Sequence, residues 1–336
     1  MEWVLYAVSV PRRRPLVIGH RGAPGYRPEH SRSSYELALA MGVDAVEPDV
    51  VATKDGVLVL RHENEISGTT DVADHPEFAD RRTTKRVDGV SLTGWFTEDF
   101  TWAELSTLRS RERLPEIRRS SATFDDGQPI LRLPDLLDLV RAGSHEHGRE
   151  IGIVLEIKHA TYFDSIGLDL APLIERDLRA GGWADGDLPL IIESFESTIL
   201  HRLQKTGIAA SFIYLIESRG KPFDLVSALG RQAPAYAVAV TPEGLDQLAG
   251  TVDGISVSKR MLLAPGNTIV ADAHARGLRV FTWTCRPENT FLDPRFRVGA
   301  ATSAFGDYEA EWREIADTGV DGVFVDHPDL GVAFFG

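Results

Sequence analysis

DAVEPDVVATKDGVLVLRH, residues 44–62, holds two apolar, β-branched runs separated by only Lys54, Asp55 and Gly56. A parallel crossover needs a dozen or more residues, so these runs must pair antiparallel, as a hairpin. Asp55-Gly56 suits a two-residue type I′ turn, which sets Lys54 opposite Val57 and therefore Asp49 opposite His62. That reading decides the strand count. With the hairpin arm set aside, eight apolar runs remain, beginning at Leu16, Asp44, Ile151, Leu188, Ser211, Gly254, Arg279 and Gly322. Helical patterns intervene, such as SSYELALAMG (33–42) and GNTIVADAHARG (266–277). Strands alternating with helices imply a parallel sheet, and eight of them predict an α/β fold of the (β/α)8 barrel (TIM barrel) type, whose catalytic groups come from the C-terminal ends of strands.

The barrel is expected over residues 15–336, with a small inserted subdomain at about 64–130, after the hairpin of the second strand. That stretch is rich in charge and turn residues, with TWAELSTL (101–108) expected to be helical; LPDLLDLV (133–140) is the barrel helix that follows. No solenoid repeat or low-complexity tract is present.

The chain has 336 residues, 43% hydrophobic and 26% charged, enough apolar material for a sizeable core. A formal net charge of −14 leaves no broad basic surface, which argues against nucleic acid or an anionic membrane as partner. A small anion needs only a local cationic pocket. Cys285 is the one cysteine, so no intrachain disulfide can form, and it reads as a small core hydrophobe. WVLYAVSV (3–10) is apolar, but its arginines (12–14) follow it and no cleavage pattern appears, so it does not read as a signal peptide. No run approaches the roughly 20 apolar residues of a membrane span. The expected location is the cytoplasm.

Alternation places Glu47 and Asp49 on one strand face, and Glu156 and Lys158 likewise. His20 and Arg21 close the first strand, and the hairpin returns His62 to the same rim. Three carboxylates are hard oxygen donors of the kind that hold Ca²⁺ or Mg²⁺. Arg21 and Lys158 suit an anionic oxygen, and two histidines can serve as general base and general acid. Metal, phosphate grip and proton-transfer pair together specify phosphoryl chemistry. Any one of these motifs is commonly a solvated strand edge or a surface ion pair. The signal is their joint occurrence at strand ends.

His20-Arg21-Gly22-Ala23, Pro28-Glu29, Glu47-x-Asp49, TKDGVLVLRH ending at His62, and Glu156-x-Lys158 stand in the order of a known signature. With ESF (193–195), FTWT (281–284) and GVFVDHP (322–328), the chain resembles the glycerophosphodiester phosphodiesterase family over nearly its whole length, in the branch of the bacterial periplasmic enzymes. The resemblance implies hydrolysis of glycerophosphodiesters to glycerol 3-phosphate and an alcohol. It implies one divalent cation, Ca²⁺ favoured over Mg²⁺, on Glu47, Asp49 and Glu156. It gives His20 and His62 the acid/base work, Arg21 and Lys158 the phosphate, Phe195 and Trp283 a place in the substrate pocket, and Glu29 an orienting role. The sequence departs from the family at His62-Glu63, usually His-Asp, and at Glu29-His30-Ser31, usually Glu-Asn-Thr. Alternative readings are a phosphodiesterase of the lysophospholipase D type and a non-catalytic phosphodiester-binding barrel.

Overall fold

The computed structural model describes residues 14–336, so the apolar stretch 3–10 lies outside the described residues. β1 (Leu16–His20) is followed by a second barrel strand split into β2 (Ala45–Glu47) and β3 (Asp49–Ala52). The hairpin arm β4 (Leu58–Leu60) comes next, then a separate two-stranded ribbon, β5 (Thr83–Val87) and β6 (Val90–Gly94). The remaining strands are β7 (Gly152–Ile157), β8 (Leu190–Ser194), β9 (Ser211–Ile216), β10 (Gly254–Ser258), β11 (Arg279–Cys285) and β12 (Gly322–Val325). β7 to β12 pair in sequence, β12 pairs with β1, β1 with β2, and β2 and β3 both with β7, which closes an eight-stranded parallel barrel. Pro48 splits the second strand because it brings no N–H to the ladder, while its carbonyl still accepts from the Glu156 amide at 2.9 Å.

Strand alternation sorts this barrel into an inner and an outer core. Ile18, Ala45, Val154, Ile213, Phe281 and Phe324 form a buried layer inside, with Ile191 packed against it. Their neighbours, among them Val17, Val46, Ile153 and Leu155, point outward into the larger core beneath the helices. Moving two residues along these strands from the inner layer reaches His20, Glu47, Glu156, Glu193, Leu215, Trp283 and Asp326. The barrel floor is apolar, and the layer above it is ionisable at every one of these positions except Leu215 and Trp283.

The hairpin forms, with a register one residue from the expected one. Val50 pairs with Leu60 and the Arg61 amide donates to the Asp49 carbonyl at 3.1 Å, so Asp49 stands opposite Arg61 and not His62. The loop is three residues, Lys54–Gly56, closed by Thr53 N to Val57 O at 2.9 Å. A type I′ turn would require Asp55 at positive φ, and only Gly56 has it, at 72°. The Asp55 carboxylate is engaged instead, accepting from Thr53 Oγ1 at 2.6 Å and from the Trp102 amide at 2.9 Å, which holds the wider turn.

β4 is pinned independently of the turn, by Leu60 N to Leu131 O at 2.9 Å and a bridge between Val59 and Arg132. A Cβ at Gly56 would meet nothing nearer than Leu173, at 3.5 Å. Gly56→Val should therefore cost about 1–2 kcal/mol, the penalty of a left-handed side-chain-bearing residue, and leave turnover unchanged. Urea unfolding with steady-state kinetics checks this; a loss of turnover would show that the turn, not the frame around β4, sets His62.

Residues 61–132 pack Phe96, Phe100, Leu105 and Leu108 into the same outer core. The expected helix at 101–108 reduces to Trp102–Leu105, opened by a capping box between Thr101 and Glu104. The β5–β6 ribbon went unread in the sequence, although Asp88-Gly89 is a tight-turn signal and both residues take positive φ. Cys285 is buried, as its reading required.

Candidate functional site

A cavity of about 470 Å³ opens at the C-terminal ends of the strands, lined by His20, Arg21, Glu47, His62, Glu156, Lys158, Glu193, Phe195 and Trp283 among others. Strand register puts the charged groups beside one another: His20 with Glu47, Asp49 with Glu156, Glu156 with Glu193. Beyond His20 the chain turns sharply, with Arg21 at φ 55° and Gly22 at 92°. A Cβ on Gly22 would lie 2.5 Å from Ser34 Oγ, so the helix Arg32–Ala40, capped by Ser31, can approach only because that residue is glycine.

Glu47, Asp49 and Glu156 are buried, and each can offer one oxygen within 4.8 Å of the others. Glu47 Oε1 and Asp49 Oδ1 are buried without a hydrogen-bond partner. Burial, then Asp49 and Glu156, push Glu47 well above the usual carboxylate range. Burial first, and Asp49 against the pull of Lys158, raise Glu156 to about 7. Asp49 goes the other way: burial opposes its charge, but Lys158, His62 and Arg21 overcome it and hold it well below the usual range. Orphaned buried oxygens in an all-carboxylate set fit a hard divalent cation.

Two cations flank the carboxylates. Lys158 Nζ lies 2.7 Å from Glu156 and 3.4 Å from Asp49, and Arg21 Nη1 donates to Glu29 at 3.0 Å. Each histidine has its Nδ1 against a carboxylate: His20 on Asp326 at 2.6 Å, His62 on Glu63. Carboxylate acceptance fixes the proton on Nδ1 and leaves Nε2 as the working nitrogen. Burial and Arg21 depress His20 to about 4, and burial, Arg21 and Lys158 depress His62 to about 3, so both rings are neutral at pH 7.

All the residues expected at the site converge, in different layers. Asp49 lies below the cavity wall, 1% exposed. Glu29 is set back behind Arg21, clasped by Arg113 at 2.9 and 2.6 Å. Phe195 and Trp283 meet edge to face, with ring centroids 5.7 Å apart. The sequence reading missed Glu193, whose Oε2 is buried and unpartnered, and Asp326. Alternation could have found both, since they stand two residues after inward-facing Ile191 and Phe324. It also left His30 without a role; the ring joins Asp49 Oδ2, at 2.9 Å, to the Tyr35 hydroxyl, at 2.7 Å. Arg113, Arg118 and Arg286 carried no local signal, because they reach the site from loops.

The family model for the glycerophosphoryl diester phosphodiesterase family matches residues 20–330. A glycerophosphodiester phosphodiesterase of Arabidopsis thaliana is 30% identical, over 93% of this chain and 84% of that protein. A protein of Mycobacterium tuberculosis named probable glycerophosphodiester phosphodiesterase 1 is 45% identical over 75% of this chain and 81% of its own length. Among solved structures, a phosphodiesterase of Oleispira antarctica in complex with the product sn-glycerol-3-phosphate superposes with a TM-score of 0.62 at 19% identity, covering 95% of this chain and 96% of that one. At that identity the likeness speaks to the barrel alone. No helix among the described residues is long and apolar enough to cross a membrane.

Proposed function

This chain belongs to the glycerophosphoryl diester phosphodiesterase family, and from that premise we propose that it hydrolyses glycerophosphodiesters to glycerol 3-phosphate and an alcohol, with a divalent cation on Glu47, Asp49 and Glu156 and with His20 and His62 moving the protons. The observation that carries this reading is the single cavity lined by Glu47, Glu156, two cationic side chains and two carboxylate-anchored imidazoles, with Asp49 completing the carboxylate set beneath its wall.

A cation held by the three carboxylates supplies Lewis acidity toward a phosphate oxygen. Ca²⁺ is the better candidate: the ligands are carboxylates alone, and Ca²⁺ tolerates irregular oxygen shells where Mg²⁺ demands near-octahedral ones. Arg21 and Lys158, already fixed by Glu29, Glu156 and Asp49, present their remaining N–H donors to the phosphate. One histidine accepts the proton of the glycerol hydroxyl as its oxygen attacks phosphorus, while the other, having taken a proton from solvent as the anionic diester binds, delivers it to the departing alcohol. Water then opens the resulting cyclic phosphate, giving its proton to the second histidine as the first returns one to the glycerol oxygen, which yields glycerol 3-phosphate. As either ring gains charge, Asp326 or Glu63 stabilises the imidazolium. Phe195 and Trp283 form an apolar wall that excludes water from one side of the reacting diester.

The test is glycerol 3-phosphate release from a panel of glycerophosphodiesters and lysophospholipids, after chelation and then with Ca²⁺ or Mg²⁺ restored. Release from the diesters, lost on chelation and regained with a cation, is expected. Turnover confined to lysophospholipids would replace the substrate class, and full activity in chelator would remove the cation from the reaction.

A further inference from the structure

Two arginines of the segment after β6, Arg113 and Arg118, reach the carboxylates that hold the two histidines. Arg113 donates to Glu63, the carboxylate on His62 Nδ1, at 3.1 and 2.7 Å, and with its other N–H groups to Glu29. Arg118 donates to Asp326, the carboxylate on His20 Nδ1, at 2.5 Å, and to Glu288 at 2.8 Å. Arg113 therefore also holds the carboxylate behind Arg21, while Arg286 donates to Asp326 Oδ2, the same oxygen that Arg118 holds, leaving Oδ1 to His20.

The backbone between the two arginines is fixed. The amides of Ile117 and Arg118 both donate to the Leu114 carbonyl, at 2.9 and 2.8 Å, forming a tight turn. Buried Glu112 accepts from the Leu114 amide at 2.8 Å and from Ser121 Oγ at 2.5 Å, anchoring that turn at its base. A planar guanidinium can bridge two carboxylates in a fixed plane, which an ammonium cannot do. The strap thus sets the plane of each orienting carboxylate, and the carboxylate sets its ring.

We propose that Arg113 and Arg118 are positioning residues that fix the tautomer and orientation of His62 and His20 respectively, so that one strap across the barrel mouth presets both proton-transfer groups. The mechanistic half rests on the phosphodiesterase reading; the structural half does not. Groups that orient a histidine through a carboxylate typically matter by 10–100-fold, and a misplacement of about 1 Å can cost about 10²-fold.

The experiment compares Arg113→Met, Arg118→Met and Arg111→Gln in protein carrying ¹⁵N-histidine. Arg111 is the control, since it pairs with Asp74 and Asp126 within the same segment and touches neither orienting carboxylate. Ring-nitrogen spectra, assigned with His20→Ala and His62→Ala, read the tautomer without substrate. Arg113→Met should shift the His62 ring nitrogens and not those of His20, Arg118→Met should do the converse, and Arg111→Gln should move neither. With substrate, kcat should fall roughly 10–100-fold for the two strap variants, with KM changing far less. Arg113→Lys and Arg118→Lys keep the charge without the fork; they should shift the same ring in the same direction, and they decide the question if a methionine variant does not fold. A strap variant that leaves its own histidine unmoved, or moves both alike, overturns the proposal. Spectra that cross as expected in a protein that hydrolyses no glycerophosphodiester keep the strap and remove the phosphodiesterase reading.

Discussion

Replacing His62 by alanine should lower turnover of a glycerophosphodiester by roughly 10²–10⁴-fold, and His20→Ala should do the same. Each ring is neutral at pH 7, with Nδ1 against a carboxylate and Nε2 left to work. Alanine removes a proton acceptor or donor that acts only as the transition state forms, so kcat and kcat/KM should fall together. Cation affinity should change little, because neither ring belongs to the carboxylate set. A substrate with a p-nitrophenyl leaving group tells the roles apart, since its departing oxygen needs no proton. The variant lacking the acid should recover most of its turnover on it, and the variant lacking the base should not. Near-normal turnover of either variant on an ordinary glycerophosphodiester would take that histidine out of the mechanism.

Periodicity made the barrel legible: strand runs alternate with helical ones, and a three-residue gap can only be a hairpin. The register of that hairpin was not legible, because the choice between a two- and a three-residue turn rested on Asp55. Its side chain was claimed by Thr53 and by Trp102, distant in sequence. The same division runs through the site. Residues on strands are read by counting in twos from the inner apolar layer, and Glu193 and Asp326 would have yielded to the count. Arg113 and Arg118 could not, since nothing local in RERLPEIR marks which carboxylates its arginines will meet. His30 was visible only as a departure from the family pattern; its contact with Asp49 shows that a change in the loop after β1 reaches a carboxylate of the proposed cation site.

Glu47→Gln should leave the fold standing and remove the cation's contribution. In the cation-free protein, burial and the neighbouring Asp49 and Glu156 keep Glu47 well above its unfolded value near 4.3, and Glu156 rises to about 7. Glu47 and Glu156 then bind more protons in the native state than in the unfolded chain from about 4.3 upward, so their contribution to stability without cation falls as pH rises through that window and levels off above the folded-state values. His20 and His62, depressed in the fold, contribute in the opposite sense below their unfolded value near 6.5, and Glu47→Gln isolates the carboxylate share. A bound cation takes the place of those protons, so its affinity should climb over the same window. Glutamine matches the protonated carboxyl in shape and keeps an oxygen for the Arg21 amide, which Glu47 Oε2 accepts at 2.8 Å. At pH 7 the variant should unfold near the wild-type temperature in chelator. Wild type should gain about 2.7 kcal/mol at a cation concentration of 100 Kd, and the variant should gain little of it. Turnover should fall by roughly 10³-fold, the equivalent of the several kcal/mol that a Lewis acid supplies to a charged transition state. Thermal unfolding with and without Ca²⁺, repeated at pH 5 and pH 7, separates these effects. A variant whose midpoint still rises with Ca²⁺ as far as wild type would place the cation elsewhere; Glu193, buried beside Glu156 and pushed well above the usual range by burial and then by Glu156 and Asp49, would be the first carboxylate to replace next.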